Sequence, residues 1–210
     1  MSPSPNKKPM PKAVWTLIAL AALTAGGIAG GMFASKASPE TKTVTLLQSP
    51  RPIADFQMLD QEGRAADARF LKGRWSLLFA GFTSCPNICP TTLSLLKRVN
   101  DSLDTGQKPR VVLLTVDPER DHPQQLKKYL AQFDPQFVGL TGETAAIASL
   151  RTQLGLIAEK VTGPSGDYTM DHSAALVLIN PQGKIAGYLS PPFDAAAIAD
   201  DLRQLVGTSG

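Results

Sequence analysis

Cysteine and histidine are scarce in this chain of 210 residues, which contains two of each. With only one possible pair of cysteines, no framework of disulfides can hold the fold together, so a hydrophobic core must do so. Aromatic residues are also few, at 6%, but hydrophobic residues make up 43% of the chain and charged residues 19%. This composition is typical of an ordinary globular protein and excludes a disordered one.

An excess of charge is also missing from most of the sequence. The net charge is +3, and Lys7, Lys8 and Lys12 account for all of it, because the rest of the chain has as many basic as acidic side chains. No basic surface is therefore indicated for nucleic acid, and no nucleic-acid partner is predicted.

A long run without charge lies near the N-terminus, at residues 13–34. A helix of this length spans the roughly 30 Å hydrocarbon core of a membrane. The lysines lie before it, in residues 1–12, so the positive-inside rule places that end in the cytoplasm. The sequence predicts a single-pass anchor in a bacterial inner membrane, with the C-terminal domain facing the periplasm. A cleaved signal peptide is the alternative, with the small residues 35–37 as its cleavage site.

One globular domain is predicted over residues 53–207, after a tether at residues 35–52 that contains a short extended piece. Uninterrupted apolar runs predict buried strands, at 75–82 and 109–117. Amphipathic spacing predicts helices after Pro90 and at 123–132, 142–155 and 191–206. Turn residues predict hairpins around 61–63, 164–166 and 180–183. The alternation of these elements predicts an α/β fold, with a mixed sheet covered by helices on both faces.

Both cysteines stand in one motif, TSCPNICP, at the predicted junction of a strand and a helix. Cys85 and Cys89 are four residues apart, which on a helix brings their β-carbons to about 5–6 Å. Both thiolates can then reach one ion, and a small adjustment would close a disulfide. The N-terminus of a helix is expected to lower the pKa of a thiol, which favours the thiolate. Pro86 and Pro90 stiffen the turn.

A third ligand is predicted at His172, which directly precedes another buried strand. In a domain of this topology that strand lies beside the strand leading to the cysteines, so His172 is brought to the open end of the thiol pair. Two thiolates and one imidazole suit Cu(I), and Cu(II) is also possible. Zn(II) remains an alternative, although it usually takes a fourth ligand.

The other candidate residues are given structural roles. His122 is predicted to cap a helix on the surface, and Met58 and Met170 to pack in the core. Asp171 precedes His172, but adjacent side chains on a strand point to opposite faces, which argues against a direct hydrogen bond between the two.

Three blocks, TSCPNICP, TVDPERDHP and DYTMDHSAALVLINPQGK, occur in the order and spacing of the Sco/SenC family of copper-binding proteins, which residues 50–206 resemble. The resemblance implies a thioredoxin-like fold in which Cys85, Cys89 and His172 bind a single copper ion. It also implies a role in building the binuclear copper centre of cytochrome c oxidase subunit II, with another periplasmic copper chaperone as the copper donor. Asn87 departs from the aspartate of many members, which removes a negative charge beside the site.

Three functions are compatible with these residues. The favoured one is a copper metallochaperone, which is not an enzyme in the turnover sense. The second is a membrane-tethered thiol–disulfide oxidoreductase that uses Cys85 and Cys89 to keep the oxidase cysteines reduced. Three residues between the cysteines, instead of two, argue against it, as does His172-Ser173 at a position where such proteins usually have a proline. The third is a peroxidase of the same superfamily, whose proline-led approach and catalytic arginine are not evident.

Overall fold

The structure is a computed structural model that describes residues 41–164 and 166–207. The strands in these residues are β1 Val44–Pro52, β2 Met58–Asp60, β3 Ala65–Ala66, β4 Ser76–Gly81, β5 Arg110–Thr115, β6 Val138–Thr141, β7 Ala158–Thr162, β8 Tyr168–His172, β9 Leu176–Ile179 and β10 Lys184–Leu189. The α-helices are α1 Ile88–Asp101, α2 Pro123–Leu130, α3 Thr144–Gln153 and α4 Ala195–Gly207. The predicted anchor and its signal-peptide alternative lie outside this part of the chain. Within it, no helix has the length and hydrophobicity that a membrane crossing requires.

Eight strands form one mixed sheet in the order β1–β10–β9–β4–β5–β6–β2–β3. Strands β4, β5 and β6 are parallel, and β9 runs antiparallel to β4. Every residue of β4 is buried, as is most of β5, because their continuous apolar runs face packed layers on both sides. The predicted α/β, thioredoxin-like arrangement of a mixed sheet flanked by helices is confirmed.

The two parallel crossovers determine where the functional loops meet. Helix α1 connects β4 to β5, and α2 connects β5 to β6, so both loops that follow these strands lie at the same edge of the sheet. Right-handed crossovers between strands that progress in one direction leave both helices on one face. Helix α1 also packs against α4. The TSCPNICP and DPERDHP segments are therefore neighbours, although one follows β4 and the other follows β5.

Strands β7 and β8 form a separate hairpin, paired only with each other. Its register places Ala158 opposite His172, at the open end of the hairpin. The chain then continues into β9, which pairs with β4, the strand that leads to the cysteines. The predicted neighbourhood of these two strands is confirmed, and it brings His172 to the edge of the sheet where the thiols lie.

The structure differs from the prediction for the end of the tether. Residues Val44–Pro52 form an edge strand, antiparallel to β10, instead of a linker with a short extended piece. Most of its side chains are exposed, so it lacks the apolar pattern of the inner strands. Pro50 and Pro52 are tolerated there because an edge strand needs hydrogen-bond donors on one side only.

A buried carboxylate fastens the beginning of this edge strand. Asp201 of α4 accepts hydrogen bonds from the backbone N–H groups of Lys42 at 2.8 Å, Thr43 at 2.7 Å and Val44 at 3.1 Å, and from the Thr43 hydroxyl at 2.7 Å. Burial alone would raise the pKa of Asp201, but these hydrogen bonds outweigh it and lower the pKa below its ordinary value.

The Asp201→Asn variant should be less stable than the wild type at pH 7, by about 1–3 kcal/mol, because it removes the charged acceptor of these bonds. A lowered folded-state pKa stabilises the protein above the unfolded-state value of about 3.9, and the contribution is lost as pH falls through the folded-state pKa. The urea midpoints of variant and wild type should therefore converge below about pH 4. Asp200→Asn, at the exposed neighbouring position, is the control and should show no such convergence.

Candidate metal centre

The two cysteines lie on either side of the point where α1 begins. Cys85 belongs to the preceding turn, and its N–H donates to the Phe82 carbonyl at 3.2 Å. Helix α1 starts at Ile88, so Cys89 lies in its first turn, and its N–H donates to the Cys85 Sγ at 3.4 Å. The backbone at the start of the helix thus holds the Cys85 sulfur directly. Both cysteines are free thiols.

His172 completes a cluster of three donors. Its Nε2 lies 3.6 Å from the Cys89 Sγ, and the three donor atoms of Cys85, Cys89 and His172 are within 4.8 Å of one another. Its Nδ1 lies 3.0 Å from the Ser173 carbonyl. An Nδ1–H that donates to this carbonyl leaves the lone pair on Nε2, the nitrogen that faces the thiols. This is the only such cluster of three His, Cys, Asp or Glu side chains in residues 41–164 and 166–207.

The centre is closed on one side and accessible on the other. Cys89 is fully buried, whereas Cys85 and His172 are partly exposed. Two large apolar side chains lie beside the accessible side: Ile88 is 53% exposed and Ile157 is 69% exposed. Ile157 is adjacent to His172, because its backbone exchanges hydrogen bonds with Ser173. A partner that reaches the site therefore meets the exposed parts of Cys85 and His172 before the buried Cys89.

The pKa of the Cys89 thiol is shifted in the direction opposite to the one expected. Its position in the first turn of a helix predicts a lowered pKa, but burial raises the pKa of Cys89 well above its ordinary value. Removal from water disfavours the thiolate more than the helix terminus favours it. A cation that binds at Cys89 must therefore displace a tightly held proton, which links metal binding to proton release.

Space for the Cys89 sulfur is provided by a glycine at the end of β4. A β-carbon at Gly81 would lie 3.0 Å from the Cys89 Sγ and 3.1 Å from the Phe79 ring. Such contacts are too short, so any other residue at this position would displace the thiol or the ring. Gly81 is not predicted as a site residue, and the one signal for it in the sequence is a glycine at the end of an otherwise bulky buried strand.

A second missed residue is Asp121, whose fully buried carboxylate joins the two functional loops. It accepts hydrogen bonds from the Thr83 N–H at 3.0 Å, the Thr83 hydroxyl at 2.6 Å and the Thr115 hydroxyl at 2.6 Å. Burial is the main influence on this carboxyl and raises its pKa. The DPERDHP block was recognised in the sequence, but nothing in it indicates that its second aspartate lies beneath the cysteine turn.

Helix α2 contributes a phenol to the surroundings of the thiols. The Tyr129 hydroxyl is buried and has no hydrogen-bond partner among the described residues. Burial, and after it the charges of Cys89 and Cys85, raises the pKa of Tyr129 well above its ordinary value. Tyr129 therefore remains a neutral phenol near the two cysteines.

The remaining candidates occupy peripheral positions. His122 is exposed at the N-cap position of α2, but its side chain makes no capping hydrogen bond. Asp171 is exposed on the outer face of the hairpin, as expected from its alternation with His172. Met58 is buried in the core, and the partly buried Met170 packs against the core, as predicted. Asn87 is exposed and makes no side-chain capping bond to α1.

Comparison with known proteins identifies relatives over the whole described domain. The SCO1/SenC family model matches residues 45–207. A putative copper-binding protein of Stutzerimonas stutzeri is 40% identical over 165 residues, covering 78% of this chain and 81% of the relative. The mitochondrial protein SCO2 homolog of Homo sapiens is 34% identical over 200 residues, covering 90% of this chain and 74% of the relative.

A solved structure with a similar fold is that of ScoI from Bradyrhizobium japonicum with copper bound. It has a TM-score of 0.67 and 37% sequence identity, and the match covers 72% of this chain and 98% of that one. The residues that the family model matches contain both cysteines and His172. The chain belongs to the SCO1/SenC family.

Proposed function

We propose that this protein is a copper chaperone that binds one copper ion through Cys85, Cys89 and His172. In this role, copper is cargo that the protein carries to the binuclear copper centre of cytochrome c oxidase subunit II. The protein is then a carrier and not an enzyme with a turnover cycle.

The observation that carries the proposal is the convergence of two sulfurs and one imidazole nitrogen within 4.8 Å. Thiolates are the ligands that Cu(I) prefers, and an added imidazole is suited to either oxidation state. Two of the donors lie four residues apart in one motif, and the third lies 83 residues beyond Cys89. Zn(II) fits less well, because it usually takes four ligands and the described residues offer three.

The unequal exposure of the ligands supports release of the cargo to a partner. Cys85 and His172 are partly exposed, so ligands from a partner can replace them first. The buried Cys89 would be the last ligand to release the copper ion. The exposed side chains of Ile88 and Ile157 would exclude water from the contact while this exchange takes place.

The proposed location and partners follow from the sequence. Residues 13–34 would anchor the protein in the bacterial inner membrane, with the domain in the periplasm, where it meets the soluble part of subunit II. Another periplasmic copper chaperone would supply the copper. The relatives support a copper-related role, since one is a putative copper-binding protein and another was solved with copper bound.

A second candidate function is reduction of disulfides in the oxidase subunit. It is favoured by the proximity of two free thiols, one of which accepts a hydrogen bond from the other residue's N–H. In this reaction Cys85 and Cys89 form a disulfide and give two electrons and two protons to the disulfide of the partner, which becomes two thiols.

The two functions can be separated with the reduced, metal-free protein and the soluble domain of subunit II. The copper function predicts that the protein takes up one equivalent of Cu(I) and passes it to the reduced subunit domain, measured by metal analysis after the two are separated. Reduction predicts instead that the metal-free protein reduces the oxidised subunit domain, and that His172→Ala does so equally well. Uptake of no copper would exclude the first function.

A further inference from the structure

The hairpin that carries His172 is held by side chains rather than by the sheet. Strands β7 and β8 pair only with each other, so no ladder of backbone hydrogen bonds joins them to the eight-stranded sheet. Tyr168, Met170 and His172 lie on the half-buried face of β8, and the alternate residues are exposed. The position of the His172 ring therefore depends on what keeps this inner face against the domain.

At the base of the hairpin, near His172, the chain is well fixed. Ile157 and Ser173 exchange hydrogen bonds of 2.8 and 2.9 Å, and the Arg151 guanidinium donates to the Ala158 carbonyl. These contacts hold the backbone between α3 and β7 and between β8 and β9, but they do not involve the inner face of β8.

At the other end of β8, a cluster of charged and aromatic side chains holds Tyr168. We call Tyr168, Asp117, Glu119, Arg120 and Lys160 the Tyr168 clamp. The Tyr168 hydroxyl donates to the Asp117 carboxylate at 2.9 Å, with a Glu119 oxygen at 3.2 Å. The Arg120 guanidinium lies 3.9 Å from the centre of the Tyr168 ring, and the Lys160 ammonium lies 3.8 Å from it. Both cations lie over the face of the ring, whose negative electrostatic potential attracts them.

Arg120 ties this cluster to the DPERDHP loop and to the site itself. Its Nε donates to the buried Asp117, and its Nη1 donates to the Tyr168 carbonyl at 3.3 Å. Its guanidinium also lies 5.9 Å from the Phe82 ring, and Phe82 meets the His172 ring edge-on, with 5.8 Å between the ring centres. Arg120 thus contacts both the residue that holds the hairpin and the ring that supports His172.

We propose that Arg120 and Tyr168 are positioning residues for the third ligand, which hold the hairpin so that the His172 Nε2 stays beside the two thiols. Neither residue belongs to the cluster of three donors that would hold the metal. The proposal rests on the proposed copper site, because it specifies which side chains outside that site make the histidine available. Copper that relies on the imidazole should depend on this clamp, whereas copper held by two thiolates should not.

The first test needs no metal. Amide hydrogen exchange of the metal-free protein is compared for the wild type, Tyr168→Ala, Tyr168→Phe and Arg120→Lys. Exchange in β7 and β8 should be faster in Tyr168→Ala and in Arg120→Lys, while exchange in β4, β5 and α1 is unchanged. Tyr168→Phe keeps the ring under the cations and should give an intermediate result. Thr169→Ala, on the exposed face of the same strand, is the matched control and should behave as the wild type.

The second test uses copper. The Cu(II) affinity of Tyr168→Ala should fall by about 10–100-fold, as for other residues that orient a metal ligand, with a changed Cu(II)–thiolate absorption band. Its Cu(I) affinity should change by less than about threefold, since both thiolates remain. Equal losses for both oxidation states would mean a general structural defect and would overturn the proposal. Unchanged Cu(II) affinity would overturn it too.

The design distinguishes failure of the clamp from failure of the copper site. If the wild type binds no copper, the proposed function is wrong, and the exchange experiment alone decides on the clamp. If Tyr168→Ala does not fold, the test uses Tyr168→Phe and Arg120→Lys instead. A positioning role would be contradicted if both of these variants showed the hydrogen exchange and the Cu(II) affinity of the wild type.

Discussion

Replacing His172 by alanine should remove Cu(II) from the protein while leaving Cu(I) bound. The thiolates of Cys85 and Cys89 alone can hold Cu(I), which prefers sulfur, but Cu(II) also needs the harder imidazole nitrogen. The loss of Cu(II) affinity should exceed about 100-fold, the upper end of the effects of residues that act only through a ligand. Replacing both cysteines by alanine should abolish binding of both ions. Competition titrations with Cu(I) and Cu(II) chelators measure each affinity separately.

The chain contains its own control for this experiment in the second histidine. His122 is exposed at the start of α2, and its side chain makes no capping hydrogen bond, so His122→Ala removes an imidazole without touching the cluster. This variant should bind both ions as the wild type does. A protein that keeps Cu(II) without His172, or that keeps Cu(I) without either cysteine, would show that the ligands lie elsewhere.

Gly187→Ala should destabilise the domain by about 1–3 kcal/mol or more, the range seen when a packed site is overfilled. A β-carbon at this position would lie 2.5 Å from the Thr45 carbonyl oxygen and 3.1 Å from the Leu46 α-carbon. Both atoms belong to the backbone of β1, which cannot move away as a flexible side chain can. The added methyl must therefore separate β1 from β10. Urea unfolding monitored by circular dichroism measures the change.

Gly106→Ala is the matched control for this stability experiment. It makes the same chemical change in a turn where no atom lies within 4 Å of the new β-carbon and where no left-handed backbone is required. Its free energy of unfolding should stay within about 0.5 kcal/mol of that of the wild type. If Gly187→Ala were equally harmless, the close approach of β1 and β10 would not exist in solution.

Hydrophobic patterning was sufficient for the inner part of the fold and insufficient for its edge. Strands β4 and β5 were predictable because burial on both faces demands an unbroken apolar run, and each of them has one. Strand β1 was not, because an edge strand buries little and tolerates prolines, so its sequence reads as a linker. Its place in the sheet depends on Asp201 and Gly187, residues more than 140 positions away that carry no local signal.

The ligands of the candidate site could be predicted from residue chemistry, whereas the residues that hold them could not. Cysteine and histidine are rare in this chain, so a cluster of both is conspicuous in the sequence. The residues that support the ligands depend on distant parts of the chain: Gly81 leaves room for a sulfur, Asp121 is buried between two loops, and Tyr168 contacts another loop. In the sequence alone, each of them looks like an ordinary residue of a turn or strand. The lowered pKa expected of Cys89 was wrong for the same reason, because burial is a tertiary property.

The hydrogen bonds of Asp201 have a mechanical consequence. Any force that reaches the domain through the residues before 41 is transmitted first to Lys42 and Thr43, whose backbone is gripped by this carboxylate. The force would reach the hydrogen bonds between β1 and β10 only after the hydrogen bonds to Asp201 have broken. The carboxylate thus protects the β1–β10 pairing from a force applied at the N-terminal side of the described domain. Since its acceptor strength depends on ionisation and its pKa is lowered, the force that the attachment withstands should decrease only when the pH falls below about 4.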